Sequence, residues 1–173
     1  RAVALSETVG DAALTTHARG KLAHWRSIIE GYRPEYREDY ESAMQLAQQT
    51  NDPTLKCTHS LLYIYYLIIT SHYQQATEIA LETQQLAKAA GDANSYLGSI
   101  FFQAWSYFYL EQWPEMASLI KEALALAEKN DQIHWVTHLQ LQQAWLLIHT
   151  HDYQQAALLV EPIYQQYQAT PFK

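Results

Sequence analysis

Charged residues are scarce in this chain of 173 residues, and they form no strongly acidic or basic block. Lysine, arginine, aspartate and glutamate make up 17% of the sequence, while 49% of the residues are hydrophobic. A disordered segment has the opposite composition, so the chain is predicted to fold around a substantial core. The net charge of −7 argues against a phosphate-binding surface, and we expect no direct nucleic-acid binding. The one local basic excess, interpreted as a solvated face, comprises Lys21, Arg26, Arg33 and Arg37.

Cysteine and long apolar runs are nearly missing too. Cys57 is the single cysteine, so no internal disulfide can form, and it is interpreted as a small buried hydrophobe. The longest apolar run, at 61–69, is nine residues, well below the roughly 20 that a membrane helix needs. A Cys-poor chain suits a reducing compartment, so we expect a cytoplasmic protein without membrane contact. The sequence starts without an initiator Met or a signal pattern and is interpreted as a fragment of a larger chain.

Motifs of catalysis and cofactor binding are missing as well. The sequence has no Gly-rich phosphate loop, nucleophile elbow or paired Cys motif. His134 and His138 stand at a spacing that two metal ligands can use, but no third ligand accompanies them, and a polar helix face is the preferred interpretation. Recurrent Gln pairs, among them those at 84–85 and 142–143, are interpreted as uncharged solvent faces. We therefore predict a protein that is not an enzyme and holds no metal or cofactor.

What the chain does contain is an internal repeat with a period of about 40 residues, in the range typical of helical-repeat architectures. The segment HYQQA at 72–76 is matched by DYQQA at 152–156, and Trp113 stands halfway between them in the tyrosine slot. A second marker is a Gly or Asn followed by Asp, at 10–11, 51–52, 91–92 and 130–131. Gly and Asn can adopt the left-handed conformation after a helix, and Asp can cap the next one. Each pair is therefore predicted to separate two helices.

Between these markers the apolar residues fall at helical spacing, as they do at Met116, Leu119, Ile120 and Ala123. The predicted fold is all-α, a right-handed superhelical solenoid of antiparallel helix pairs with about nine helices. We predict a single helical-repeat domain over 1–173. It would contain a partial helix at 1–9 and repeats at 12–50, 53–90, 93–129 and 132–168.

The second half of each unit resembles the tetratricopeptide repeat in its 40-residue form. The resemblance rests on the aromatic at the turn, the small residue one turn later, the ALxLA segment and the terminal GD or ND, and it extends over essentially the whole chain. Tyr36 departs from it by replacing the small residue. The expected turn glycine is present as Gly31, but Ser71, Glu111 and His151 stand at the equivalent positions. The chain is also similar to the helical-repeat regions of MalT-like, LuxR-type bacterial regulators.

Superposing the units reveals a column of aromatic residues on the first helices, formed by Trp25, Tyr65, Trp105 and Trp145. Apolar neighbours three and four residues away extend the column into a stripe. By the resemblance, first helices line the concave surface of the superhelix and hold peptides or partner helices. The predicted partner-binding residues are Trp25, Tyr65, Phe101, Trp105, Phe108, Tyr109, Leu141, Trp145 and His149. A small rotation of the helices would instead bury the column between repeats, and this alternative stays open.

Two hypotheses of function follow. The first is a protein-protein or peptide interaction module that binds a partner segment in a concave aromatic groove, within a multidomain regulatory or signalling protein. The second, implied by the resemblance to MalT-like transcription regulators, is a regulatory domain that senses an inducer or another small-molecule effector. Exposed end helices of a repeat array also predict association into a homo-oligomer.

Overall fold

The computed structural model describes residues 2–49 and 51–169, and nine α-helices account for most of them. They are α1 (Ala2–Val9), α2 (Ala12–Glu30), α3 (Arg37–Gln49), α4 (Pro53–Ile69), α5 (Tyr73–Ala90), α6 (Ala93–Tyr109), α7 (Trp113–Lys129), α8 (Ile133–His149) and α9 (Tyr153–Ala169), with a 3-10 turn at Pro34–Tyr36 before α3. The prediction of an all-α fold is confirmed. The helix pairs α4–α5, α6–α7 and α8–α9 extend over 53–90, 93–129 and 133–169. The predicted ends at residues 1 and 50 lie outside the described residues.

Contacts divide the chain within α6 into two compact units, Arg1–Gln103 and Ala104–Lys173. In the first unit α2 packs against α1, α3 and α4, and α4 also packs against α3 and α5. In the second unit α8 packs against α7 and α9. Helices that follow one another in sequence therefore contact one another within each unit, as a helical repeat requires. The prediction of one domain over the whole chain stays a prediction. None of the described helices combines the length and the apolar character needed to cross a membrane.

One face of each second helix contributes to the core, because three- and four-residue steps place its small and apolar residues in a single line. The buried residues of this line are Ala76, Ala80, Thr83 and Ala87 in α5, and Met116, Ile120, Ala123 and Ala127 in α7. In the first repeat, Tyr36 and Tyr40 are buried at positions held by alanine in α5. Their hydroxyls donate to the Glu30 carboxylate at 3.1 Å and to Ser27 Oγ at 3.2 Å. The departure at Tyr36 is therefore accommodated by a hydrogen bond at the edge of the core.

The turns between helices recur at half the period of the sequence repeat. Left-handed residues stand at equal intervals along the chain, at Ser71, Gly91, Glu111, Asp131 and His151. At each of these turns the next N–H donates to the carbonyl five residues earlier, as between His72 N and Leu67 O at 2.8 Å. These bonds satisfy carbonyls that the helix end would otherwise leave open. Backbone geometry therefore repeats with every helix, although the side-chain pattern repeats only with every second helix.

The predicted capping aspartates are confirmed at three of four positions. Asp11, Asp52 and Asp92 each accept a hydrogen bond from a backbone N–H in the first turn of the following helix. The fourth prediction is wrong by one residue, because Asn130 has φ −104° and Asp131 has φ 52°. Asp131 therefore occupies the left-handed position that the prediction assigned to Asn130. The reason is the fixed turn spacing, which overrides the local preference of Asn for this conformation.

Candidate functional site

All nine predicted partner-binding residues lie on first helices, and none of them is buried. Trp25 in α2 is 59% exposed, and Trp145, the equivalent residue of α8, is 58% exposed. One turn later, Ile28 and Ile148 are each 49% exposed. The equivalent residue of α4, Ile68, is instead buried, so the apolar stripe is narrower on that helix. The two end members of the column thus have nearly equal exposure, and neither tryptophan belongs to the core.

In the first unit, ring contacts join three helices along the column. The ring of His24 in α2 lies 4.6 Å from the ring of Tyr65 in α4, centroid to centroid, and 6.0 Å from that of Trp25. Tyr65 in turn lies 6.2 Å from Phe102 in α6, and Phe101 lies 5.3 Å from Phe102. All of these contacts are edge-on, the geometry that the quadrupoles of aromatic rings favour. Trp25, Tyr65 and Phe101 are therefore brought onto one connected surface.

In the second unit, Phe108 occupies the centre of an aromatic cluster. Its ring lies 6.0 Å from Trp145 and 5.5 Å from His149, both in α8, and 5.6 Å from Tyr109. Trp105 joins the cluster through Tyr109, at 6.5 Å. Leu141 is half-buried one turn before Trp145. This cluster brings together the predicted residues of α6 and α8 that belong to the second unit.

Trp113 is a member of this cluster that the sequence analysis did not assign to it. Its indole lies 4.1 Å from the imidazole of His149. The repeat pattern uses Trp113 only as the aromatic of the turn. Because α7 begins where α8 ends in an antiparallel pair, the first residue of one helix meets the last residue of the other. The bounds of the helices, together with antiparallel packing, could have predicted this contact.

A histidine cluster between α2 and α4 is the second feature that the sequence analysis missed. His17 Nδ1 and His59 Nε2 are 3.1 Å apart, with rings perpendicular and 4.9 Å between centroids. His59 is completely buried. His17, Lys21 and His24 follow one another at steps of four and three residues, so they share a face of α2. That spacing is visible in the sequence, but nothing in the sequence pairs it with His59.

Burial lowers the basicity of this histidine cluster. Desolvation lowers the pKa of His24 and of His59 to about 4, and the nearby His17 and Lys21 add to the effect at His59. The pKa of His17 is lowered too, by burial and by the positive charge of Lys21. The Nδ1 atoms of His24 and His59 are buried and have no hydrogen-bond partner among the described residues. All three imidazoles are therefore disfavoured as cations in the folded protein.

His134 and His138 form a pair of tilted rings on α8, with centroids 4.2 Å apart. His138 Nδ1 lies 2.8 Å from the carbonyl oxygen of His134, so this nitrogen is engaged with the backbone. Across residues 2–49 and 51–169 there is no group of three or more His, Cys, Asp or Glu side chains that could hold a metal ion.

The interpretation of the Gln pairs as solvent faces is wrong for two of their members. Gln84 is half-buried and donates from Nε2 to Oε1 of the buried Gln103 at 2.7 Å. Gln142 is buried on α8. For Gln84 the physical reason is the hydrogen bond to Gln103, because an amide side chain can be buried when it finds a partner. Of the basic residues, Arg33 and Arg37 are exposed as expected and lie 3.4 Å and 2.7 Å from glutamates on their own surface.

Two adjoining clefts lie between α3, α4 and α5, with volumes of about 260 Å³ and 270 Å³. Met44 and Gln48 of α3 line both of them. Lys56 and Ser60 contribute to one cleft and Tyr63 to the other. These clefts contain none of the predicted partner-binding residues, so they are a separate feature of the first unit.

Comparison with known proteins assigns no family, since no family model matches the sequence and no curated protein matches it. The fold and the site together define a class: an all-α chain built from repeated helix pairs, whose first helices expose aromatic side chains. The resemblance to the tetratricopeptide repeat stays a prediction.

Proposed function

We propose that this chain is a non-enzymatic interaction module whose exposed first-helix aromatics hold apolar segments of a partner protein or peptide. The observation that carries the proposal is the exposure of Trp25 and Trp145, which are 59% and 58% exposed at equivalent positions of different repeats. Isolated exposed apolar residues are common on protein surfaces, but a repeated Trp flanked by an exposed Ile is typical of an interaction site.

The energy available at these residues is sufficient for anchoring. A tryptophan side chain can bury up to about 250 Å². Covering the exposed 58% of Trp145 would remove roughly 140 Å² from water, which corresponds to about 3.5 kcal/mol at about 25 cal/mol per Å². Residues that contribute about 2 kcal/mol or more dominate typical interfaces, and tryptophan is enriched among them. We therefore expect each exposed tryptophan to act as an anchor for the partner.

The kind of protein that contains the module is inferred from the resemblance in sequence. The repeated helix pairs, the aromatic at the turn and the terminal GD or ND support a tetratricopeptide-like array. We propose that this array belongs to a multidomain regulatory or signalling protein of the cytoplasm.

The experiment is a selection of binding peptides from a displayed library, followed by affinity measurements on the purified chain. Peptides that bind the exposed aromatics of the first unit should lose about 30-fold or more in affinity with Trp25→Ala, and peptides that bind those of the second unit should lose as much with Trp145→Ala, the equivalent of about 2 kcal/mol. Leu158→Ala is the matched control, because Leu158 is a similarly exposed apolar residue of α9 outside the column. Selected peptides that bind both tryptophan variants as tightly as the control would contradict the proposal.

A second candidate function, the sensing of a small-molecule effector, is supported by the two clefts between α3, α4 and α5. Because Met44 lines both clefts, Met44→Trp should fill part of each. An effector that binds there would raise the melting temperature of the wild-type chain but not that of the variant. A compound library that gives equal shifts for both proteins would remove the clefts from consideration.

A further inference from the structure

Four basic groups meet where α2 packs against α4, and no acid among the described residues balances them. They are His17, Lys21 and His24 of α2 and His59 of α4, with 3.1 Å between the nearest nitrogens of His17 and His59. An imidazole beside a carboxylate has a raised pKa, whereas the pKa of each of these three imidazoles is lowered. A second cation at 3.1 Å from the fully buried His59 is strongly repelled.

The charged groups of the neighbouring helices are engaged elsewhere. Glu7 of α1 pairs with Arg19 at 2.7 Å. Asp39 of α3 interacts with Arg19 and Arg26. Burial lowers the pKa of all three histidines, Lys21 lowers that of His17 and His59 further, and His17 lowers that of His59. The other titratable side chains of α2 to α5 do not set these pKa values. They include Glu30, Arg37, Glu38, Tyr40, Glu41, Lys56, Cys57, Tyr63, Tyr65, Tyr66, Glu78, Glu82 and Lys88. Helix α6 has no charged residue.

We propose that the α2–α4 contact is an acid-sensitive switch, in which protonation of His17, His24 and His59 releases α2 from the first unit. The switch is a property of the histidine cluster and goes beyond the proposed function. The direction of the switch follows from the lowered pKa values of the three histidines. The unfolded pKa of histidine is about 6.5, so the stability that depends on neutral imidazoles is fully present above about pH 6.5. That stability is lost as the pH falls toward the folded value of about 4 for His24 and His59.

The switch is connected to the aromatic column through His24. The ring of His24 contacts both Tyr65 and Trp25, at 4.6 Å and 6.0 Å. Movement of α2 away from α4 would therefore separate Trp25 from Tyr65. Acid should alter the column of the first unit more than it alters α7, because α7 contains no histidine and the histidines of α8, against which it packs, are not buried.

Hydrogen exchange of backbone amides at about pH 7.5 and pH 5.0 tests the switch. Consider an imidazole whose pKa is about 4 in the folded state and about 6.5 in the unfolded state. When the pH falls from about 7.5 to 5.0, its titration lowers the ratio of closed to open states about 30-fold. Because His24 is half-buried, we expect about 10-fold from it and about 30-fold from the fully buried His59. Protection factors in α2 should therefore fall by at least about 30-fold at the lower pH, while those in α7 change by less than about threefold.

Three variants make the outcome specific. Glutamine is neutral at both pH values and can still hydrogen-bond, so His59→Gln should reduce the acid effect on α2, and His24→Gln should reduce it by a smaller factor. If His59→Gln does not fold, His24→Gln still allows the test, because His24 is only half-buried. His72→Gln is the matched control, because it removes an exposed imidazole of the same unit. The proposal is overturned if α2 keeps its protection at low pH in the wild type, or if the loss is the same in His24→Gln, His59→Gln and His72→Gln.

Discussion

Two tryptophans of the same helix, Trp135 and Trp145, allow a sharp test of which face of α8 is core. Trp135 is 9% exposed and Trp145 is 58% exposed. With up to about 250 Å² per tryptophan side chain, the two residues differ by roughly 120 Å² of buried surface. At about 25 cal/mol per Å² this difference corresponds to about 3 kcal/mol. We therefore expect Trp135→Ala to cost about 4–5 kcal/mol of unfolding free energy, typical of a core aromatic, and Trp145→Ala to cost about 1–2 kcal/mol.

The assay is urea unfolding followed by circular dichroism, with both variants made in the same background. Helix propensity largely cancels because each variant exchanges Trp for Ala within α8. Equal losses of unfolding free energy would refute the assignment of Trp145 to an exposed surface. A larger loss for Trp145→Ala would place the aromatic column in the core and would also remove the main support for the proposed function.

The remaining predictions concern the backbone. Glu111 adopts φ 59°, so Glu111→Gly should stabilise the chain by about 0.5–1 kcal/mol, as measured by thermal or urea unfolding. Gly91→Ala, at φ 69°, should destabilise it. A destabilising Glu111→Gly would contradict the assignment of backbone strain to Glu111. A Cβ at Gly20 would lie 2.7 Å from the Cβ of Ala43, so Gly20→Ala should destabilise the α2–α3 contact by about 1–2 kcal/mol despite the better helix propensity of alanine. In a double-mutant cycle the loss for Gly20→Ala/Ala43→Gly should be smaller than the sum of the losses for Gly20→Ala and Ala43→Gly, and additive losses would show that the clash is not the cause.

The turn at Asp131 illustrates where sequence reasoning stops. Local preference favours Asn130 for the left-handed position, and the prediction rests on that preference. The observed turns stand at equal intervals from Ser71 to His151, which requires Asp131 instead. Each helix must match the length of the helix on which it packs, and this constraint is stronger than the local preference of one residue. A close reading of the spacing between single helices, in addition to the repeat of helix pairs, would have predicted the correct residue.

The sequence by itself determined the helical class and the positions of the helices, and it placed the aromatic column on the first helices. These features depend on apolar spacing within one helix and on residues at the turns, which act over a few positions of the chain. Only the tertiary structure decided that the column's end members are exposed and which polar side chains are buried. Gln84 meets Gln103, and His17 meets His59, across 19 and 42 positions respectively. No local pattern encodes such a contact, because a polar residue on a helix can be solvated or buried until a second helix packs against it.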